Sequence, residues 1–144
     1  MDRPVALALA LVVAVAAGGV AVSALPDPAP RAALALRADA ATDGLRLTHR
    51  GGDPLDARTF ALRVRVEGRP LRHQPPTPFF AARGFRSGPT GPLNVADDPR
   101  WTAGERARLR LAATNAPLLD PGDRVTVTIL VDGTRVARAS ARAQ

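Results

Sequence analysis

The sequence contains no cysteine, lysine or tyrosine, and its 144 residues include only two histidines and three serines. Without cysteine the chain has no disulfide and no thiolate metal site, so an exported domain would be held together by packing alone. The histidines and serines do not stand in the sequence contexts of a nucleophilic hydrolase, and no phosphate-binding glycine loop follows a strand. We therefore expect a protein that is not an enzyme and carries no cofactor.

Positive charge predominates in this sequence. All 20 basic residues are arginine, against 13 acidic residues, so the formal net charge is +7 and the pI is about 11.6. Such a balance favours anionic partners. Charge alone does not choose among polysaccharides, lipid headgroups, nucleic acids and acidic protein surfaces.

The longest apolar run follows the short leader Met1-Asp2-Arg3. Residues 4–25 are uncharged and consist mainly of Ala, Leu and Val. As a helix this run would be roughly 33 Å long, which matches the hydrocarbon thickness of a bilayer, and we predict a transmembrane helix here. Small residues at Gly18-Gly19 would let neighbouring helices approach. The alternative is a cleaved signal peptide, because Val22-Ser23-Ala24 has small residues at the two positions that the peptidase reads.

The rest of the chain divides into a proline-rich linker, residues 26–32, and a head, residues 33–144. Alternating apolar residues predict strands at Phe60 to Val66, Glu105 to Leu111, Val125 to Val131 and Thr134 to Ala139. Another hairpin is predicted around the turn Asp43-Gly44, between Leu34/Leu36 and Leu45/Leu47. The predicted fold class is mainly β, with an N-terminal transmembrane or filament-core α-helix followed by a small β-sandwich head.

Between Leu71 and Trp101 the alternation stops. This long Pro- and Gly-rich connection carries four of the five aromatic side chains, namely Phe79, Phe80, Phe85 and Trp101. Long connections inside a compact domain are usually functional or packed by their own side chains. We favour packing of these aromatics against one end of the sandwich; the alternative is an exposed aromatic contact surface.

Two groups of residues are candidates for a site. His49 with Asp53 and Asp56 would suit a metal ion, but a turn around Gly51-Gly52 is the favoured interpretation, so no metal is predicted. The outward arginines of two predicted strands would form one basic patch if those strands share a sheet, and a solvated face is the alternative. These arginines are Arg63, Arg65, Arg106, Arg108 and Arg110. No aromatics alternate with them, so we expect no specific nucleic-acid partner.

Three segments of the chain resemble one known family. Arg3-Pro4-Val5 with the apolar run resembles the start of its N-terminal helix. The segment LTHRGGDPLD, residues 47–56, with His49, Gly51, Gly52, Asp53 and Pro54, resembles its most characteristic stretch, and LDPGDRVTVTI, residues 119–129, resembles its pre-terminal strand. On these segments the chain resembles the archaeal type IV pilin family, in particular the short haloarchaeal pilin-like proteins.

The resemblance implies assembly rather than catalysis. A membrane peptidase would trim the leader, here near Arg3 and Pro4, and the helices would then bundle as the core of a filament that displays the β heads. The implied partners are other pilin subunits, the membrane and anionic cell-surface polymers. The implied location is the cell membrane with an extracellular head, or an extracellular filament with a role in adhesion.

A second hypothesis comes from the charge. The head would be a monomeric, membrane-anchored or secreted β-sandwich that binds an anionic surface polymer through its arginines or through the segment 71–101. The two hypotheses differ in whether the protein itself forms a polymer.

Overall fold

A computed structural model describes residues 28–144 of the chain. Within this range the structure is made of nine strands and one short 3-10 turn. The strands are β1 (Ala32–Asp39), β2 (Gly44–Gly52), β3 (Leu55–Asp56), β4 (Phe60–Val66), β5 (Arg69–Pro70), β6 (Arg100–Trp101), β7 (Arg106–Arg110), β8 (Arg124–Val131) and β9 (Thr134–Arg142), with the 3-10 turn at Gly91–Leu93.

Two larger sheets bury one face each in a common apolar core. One sheet has the order β1-β2-β7 and the other the order β5-β4-β8-β9, all paired antiparallel, while β3 and β6 form a small third sheet. The last residue joins the two larger sheets, since Gln144 N donates to Ala38 O at 3.0 Å and Ala40 N donates to Gln144 O at 2.9 Å. Many cell-surface domains share such a sandwich, but the fold by itself assigns no function.

Alternation in sequence accounts for the two inner faces. In β4, Leu62 and Val64 are buried while Arg63 and Arg65 are exposed, because successive side chains of a strand point to opposite faces. The strand predicted over 60–66 is confirmed, and so are the hairpin around Asp43-Gly44 and the three later strands, with ends shifted by one to three residues. The opposing strand β8 contributes Val125, Val127 and Ile129 to the same core.

Small side chains allow the two sheets to approach where β1 meets β9. Ala137 and Ala139 on β9 are buried, as is Ala143 directly after it, and β9 packs against β1, whose Leu36 and Ala38 are buried too. A larger residue at these positions would hold the two strands apart, since interiors are close-packed.

The connection 71–101 lies along the outer edge of β7. Arg86 N donates to Arg110 O and Thr90 N donates to Arg108 O, both at 2.9 Å. This pairing covers a strand edge that would otherwise leave its backbone groups unpaired. The aromatic prediction is confirmed for three of its four residues: Phe79, Phe85 and Trp101 are buried, whereas Phe80 is 56% exposed.

The predicted fold class is wrong in its α-helical part. The described residues 28–144 are mainly strand and contain no α-helix: apolar residues alternate with a period of two in the longer strands, and the Pro- and Gly-rich segment 71–101 does not sustain the spacing of a helical face either. Nor does this range contain any helix long and apolar enough to cross a membrane. The segment 4–25, Gly18-Gly19 and the proposed cleavage near Arg3 and Pro4 lie outside the described residues.

Candidate functional site

The family-like segment 47–56 spans the end of β2 and the whole of β3. Its register with β1 contains a bulge: Ala33 pairs with Gly51 while Leu34 pairs with His49, so Arg50 has no partner in the ladder. A bulge of this kind bends the strand and increases its twist. The segment therefore leaves the sheet beside Arg31, the residue before β1.

Asp53 forms hydrogen bonds with both backbone groups of Arg31, its carbonyl and its amide. Asp53 N donates to Arg31 O at 2.8 Å, and Arg31 N donates to Asp53 Oδ2 at 3.0 Å. Gly52, with φ +93°, makes this approach possible, because a Cβ at position 52 would lie 2.5 Å from Arg31 O and 3.0 Å from Ala32 Cα. Residues 52 and 53 thus fix the point where the N-terminal part of the chain enters the sandwich.

His49 connects this contact to the interior. Its ring is fully buried, and Nε2 donates to Asp53 O at 2.8 Å, while Nδ1 has no partner within the described part of the chain. The ring packs edge-on against Trp101, with the ring centroids 6.1 Å apart. The backbone of His49 pairs with Glu105 O and Gly104 N, so the residue is bound through both its side chain and its main chain.

The buried Trp101 and the exposed Glu105 form the other end of this network. Trp101 Nε1 donates to Glu105 O at 2.9 Å, and the Glu105 carboxylate accepts from Thr102 N at 2.7 Å and Thr102 Oγ1 at 2.6 Å. The hydrogen bond from the Thr102 hydroxyl, followed by that from its backbone amide, lowers the pKa of Glu105 below its ordinary value of 4.5.

Five residues connect the N-terminal end of the described chain to the interior, and we name this set the entry clamp. Its members are Arg31, His49, Gly52, Asp53 and Trp101.

The metal alternative for His49 does not agree with this geometry. The Nε2 atom is bound to Asp53 O, and the Asp56 carboxylate forms a two-point ion pair with Arg58, with Oδ2 to Nη2 at 2.8 Å. The side-chain hydrogen bond from Arg58, followed by that from its backbone amide, lowers the pKa of Asp56 below 3.8. Across residues 28–144 no group of three or more His, Asp or Glu side chains converges on a potential metal position.

The structure separates the arginines of the predicted basic patch. Arg63 and Arg65 lie on the outer face of the four-stranded sheet. The other three lie on the outer face of the three-stranded sheet, on the far side of the sandwich; they are Arg106, Arg108 and Arg110. The two rows do not share a sheet, which was the condition on which the single patch depended.

Carboxylates do little to neutralise either face. Between Pro28 and Gln144, Arg58 is the one arginine with a carboxylate within 4.0 Å. The acidic side chains instead accept hydrogen bonds from backbone N–H groups in turns and at strand ends; those that do so are Asp39, Asp43, Asp53, Asp56, Glu67, Asp98, Glu105 and Asp123. Acidic residues thus stabilise loops, while the strand faces retain their positive charge.

A groove on the three-stranded sheet gathers arginines from four strands. Cross-strand pairing places Arg37 of β1 opposite Arg46 of β2, and Arg46 opposite Arg108 of β7. Arg110 lies two residues along β7, and Arg142 comes from the end of β9, where its Nη1 donates to Gly122 O at 3.0 Å. The groove encloses about 670 Å³. We call it the arginine groove.

Sequence reasoning missed part of each site. Arg37 and Arg46 occupy outward positions of the predicted hairpin, so alternation could have identified them. Arg142 lies beyond the predicted end of the last strand, and no local signal brings it beside β1. Asn115, a buried residue with a fully bonded side chain, stands in a stretch without periodicity.

In comparisons with known proteins, no family model matches the chain and no curated protein matches it.

Proposed function

We propose that this protein is a structural subunit of a pilin-like surface filament, and that residues 28–144 form its outward head. The observation that carries the proposal is the entry clamp. The segment 47–56, on which the resemblance to the pilin family is most specific, binds the chain at Arg31. Arg31 is where the linker from the N-terminal apolar segment reaches the head.

A filament subunit has to transmit force between the segment that joins it to its neighbours and the head that meets the surroundings. In this chain a pull at residue 31 is resisted by the two Arg31–Asp53 hydrogen bonds and by the β1–β2 ladder. From Asp53 the contact continues through His49 to the buried Trp101. The family-like residues thus act in mechanical attachment, and they provide no catalytic arrangement.

A second candidate function is supported by the charge distribution. The outer faces of the sandwich carry arginines that have no carboxylate partner among residues 28–144, and five of these arginines line a groove. A head of this kind would bind an anionic surface polymer, either as the adhesive part of a filament or as a monomeric module. The first case requires that the protein itself assembles; the second does not.

The test uses the full-length chain in its source cells. Sheared surface filaments are collected by sedimentation, imaged by electron microscopy and analysed by mass spectrometry for the mature N-terminus. We expect the protein in the filament fraction, beginning near Arg3 and Pro4 with residues 4–25 retained. A charge placed within the apolar segment by Val13→Arg should remove the protein from this fraction.

Arg135→Gln is the matched control, because this exposed residue of β9 belongs neither to the entry clamp nor to the arginine groove. It should leave the filament fraction unchanged. A mature N-terminus at Leu25 together with monomeric protein in the medium would contradict the filament proposal and leave the binding module as the remaining function.

A further inference from the structure

We propose that the arginine groove binds a carboxylate-bearing polysaccharide, with the polymer lying across the strands of the β1-β2-β7 sheet. This inference rests on the second candidate function, which it deepens, and it does not depend on filament assembly. It differs from the basic patch predicted from the sequence, because Arg37, Arg46 and Arg142 enter the site while Arg63 and Arg65 lie on the opposite face.

Like charges stand side by side in the groove. Arg37, Arg46 and Arg108 are direct cross-strand neighbours, on strands about 4.8 Å apart. Like charges directly opposite one another destabilise a sheet. Within residues 28–144 none of the three has a carboxylate within 4.0 Å, and none donates a side-chain hydrogen bond. No ion pair of the described chain offsets the repulsion in this row, whereas a bound anion would relieve it.

The row runs perpendicular to the strands. It leads from Arg108 across Arg46 to Arg37 and continues over the edge of β1 to Arg142 on β9. One positive charge per strand, at a strand spacing of about 4.8 Å, is close to the length of one sugar ring. A linear chain with one carboxylate on each sugar would therefore meet successive arginines, whereas a single small anion would contact only part of the row.

The chemistry of the lining favours a sugar acid. Arginine presents a planar fork of N–H donors that matches a carboxylate in two-point geometry. The Thr42 hydroxyl and the Gln144 amide add neutral hydrogen-bonding groups, as sugar hydroxyls require. Of the described residues 28–144, Asp39 is the one carboxylate in the lining, and no aromatic side chain of this range lines the groove, so the range offers no platform on which the bases of a single-stranded nucleic acid would stack.

The experiment measures binding of the full-length chain, kept in an uncharged detergent, to polygalacturonate by isothermal titration calorimetry. Arg37→Gln, Arg46→Gln and Arg108→Gln are combined in one variant. We expect this variant to bind about tenfold more weakly or worse, since it loses three charge-assisted contacts. The slope of log K against log salt should decrease by about one for each arginine that contacts the polymer.

A matched variant removes equal charge from the other sheet. Arg63→Gln, Arg135→Gln and Arg138→Gln lie on the outer face of the four-stranded sheet, and none of the three lines the groove. This variant should bind within about a factor of two of the wild type, because it leaves the groove arginines in place and salt screens the charges that lie away from them. Thermal unfolding of all three proteins verifies that they are folded.

Each outcome has a definite meaning. Equal losses in both triple variants would show a delocalised charge effect and overturn the groove, while the second candidate function would stand. Absence of polygalacturonate binding by the wild type would overturn both the groove proposal and the second candidate function. Equal binding of the fully methyl-esterified polymer, of poly-glutamate or of single-stranded DNA would overturn the assignment to a sugar acid.

Discussion

Arg31 and Asp53 hold each other through two hydrogen bonds, one from each backbone amide: Asp53 N donates to Arg31 O at 2.8 Å and Arg31 N donates to Asp53 Oδ2 at 3.0 Å. The pair spans 22 positions of sequence and joins the start of β1 to the end of β2. It lies where the described domain begins, so its strength decides how firmly the preceding chain is attached.

The first prediction concerns Gly52. In Gly52→Ala the new Cβ meets Arg31 O at 2.5 Å and the backbone keeps a φ near +93°. We expect the free energy of unfolding to fall by roughly 2–4 kcal/mol, from left-handed strain together with displacement of residue 31. Chemical denaturation measures the loss. Gly122→Ala is the control. Gly122 has a similar φ of +89°, but no atom lies within 4 Å of the added Cβ, so this variant introduces the left-handed backbone strain without a steric clash. Equal losses in the two variants would show that the contact with Arg31 is unimportant.

The second prediction concerns Asn115, whose buried side chain links two loops. Its Oδ1 accepts from His73 N at 3.1 Å and Ala116 N at 2.9 Å, and its Nδ2 donates to His73 O and Gly84 O, both at 3.0 Å. Asn115→Ala should lower the free energy of unfolding by about 2–4 kcal/mol, because buried polar groups lose their partners. Thermal and chemical unfolding measure the effect. The exposed neighbour in Thr114→Ala should change stability by about 0.5 kcal/mol or less, and a similarly small effect at Asn115 would contradict the structural role.

The third prediction concerns pH. The pKa of Glu105 is held below 4.5 by the Thr102 hydrogen bonds, so the folded protein binds the proton less readily than the unfolded chain. Glu105 therefore contributes stability above about pH 4.5, and this contribution is lost as the pH falls below that value. Denaturation curves between pH 3 and pH 7 should show a smaller acid-induced loss for Glu105→Gln than for the wild type. Parallel curves for the two proteins would contradict the assigned hydrogen bonds.

The strands were predictable because a strand with one buried face has an alternating pattern of apolar and polar residues, which is visible within a few consecutive positions. Apolar and polar residues alternate from Leu62 to Val66 in β4 and from Arg124 to Ile129 in β8, so the period of two is visible in five or six consecutive residues. The turn at Asp43-Gly44 is equally local: Asp43 adopts a φ of +50°, a conformation that Asp tolerates better than most residues.

The assignment of strands to sheets was not predictable in the same way. β4 and β7 carry the same alternation of arginine with an apolar residue, yet they belong to opposite sheets. Alternation reports which side of a strand is buried and contains no information about its neighbours. The single basic patch failed for this reason, and the arginine groove could not be seen before β1, β2 and β7 were placed together.

The sequence by itself determined that the described domain would be β-rich, that its strands would expose arginine, and that no disulfide would hold it, because these properties depend on residue type and local periodicity. Only the tertiary structure decided that Asp53 meets Arg31, that His49 is buried against Trp101, and that the arginines fall into two separate faces. Each of these relationships joins residues that are distant in sequence, and they are set by strand pairing and by packing of the two sheets into one core.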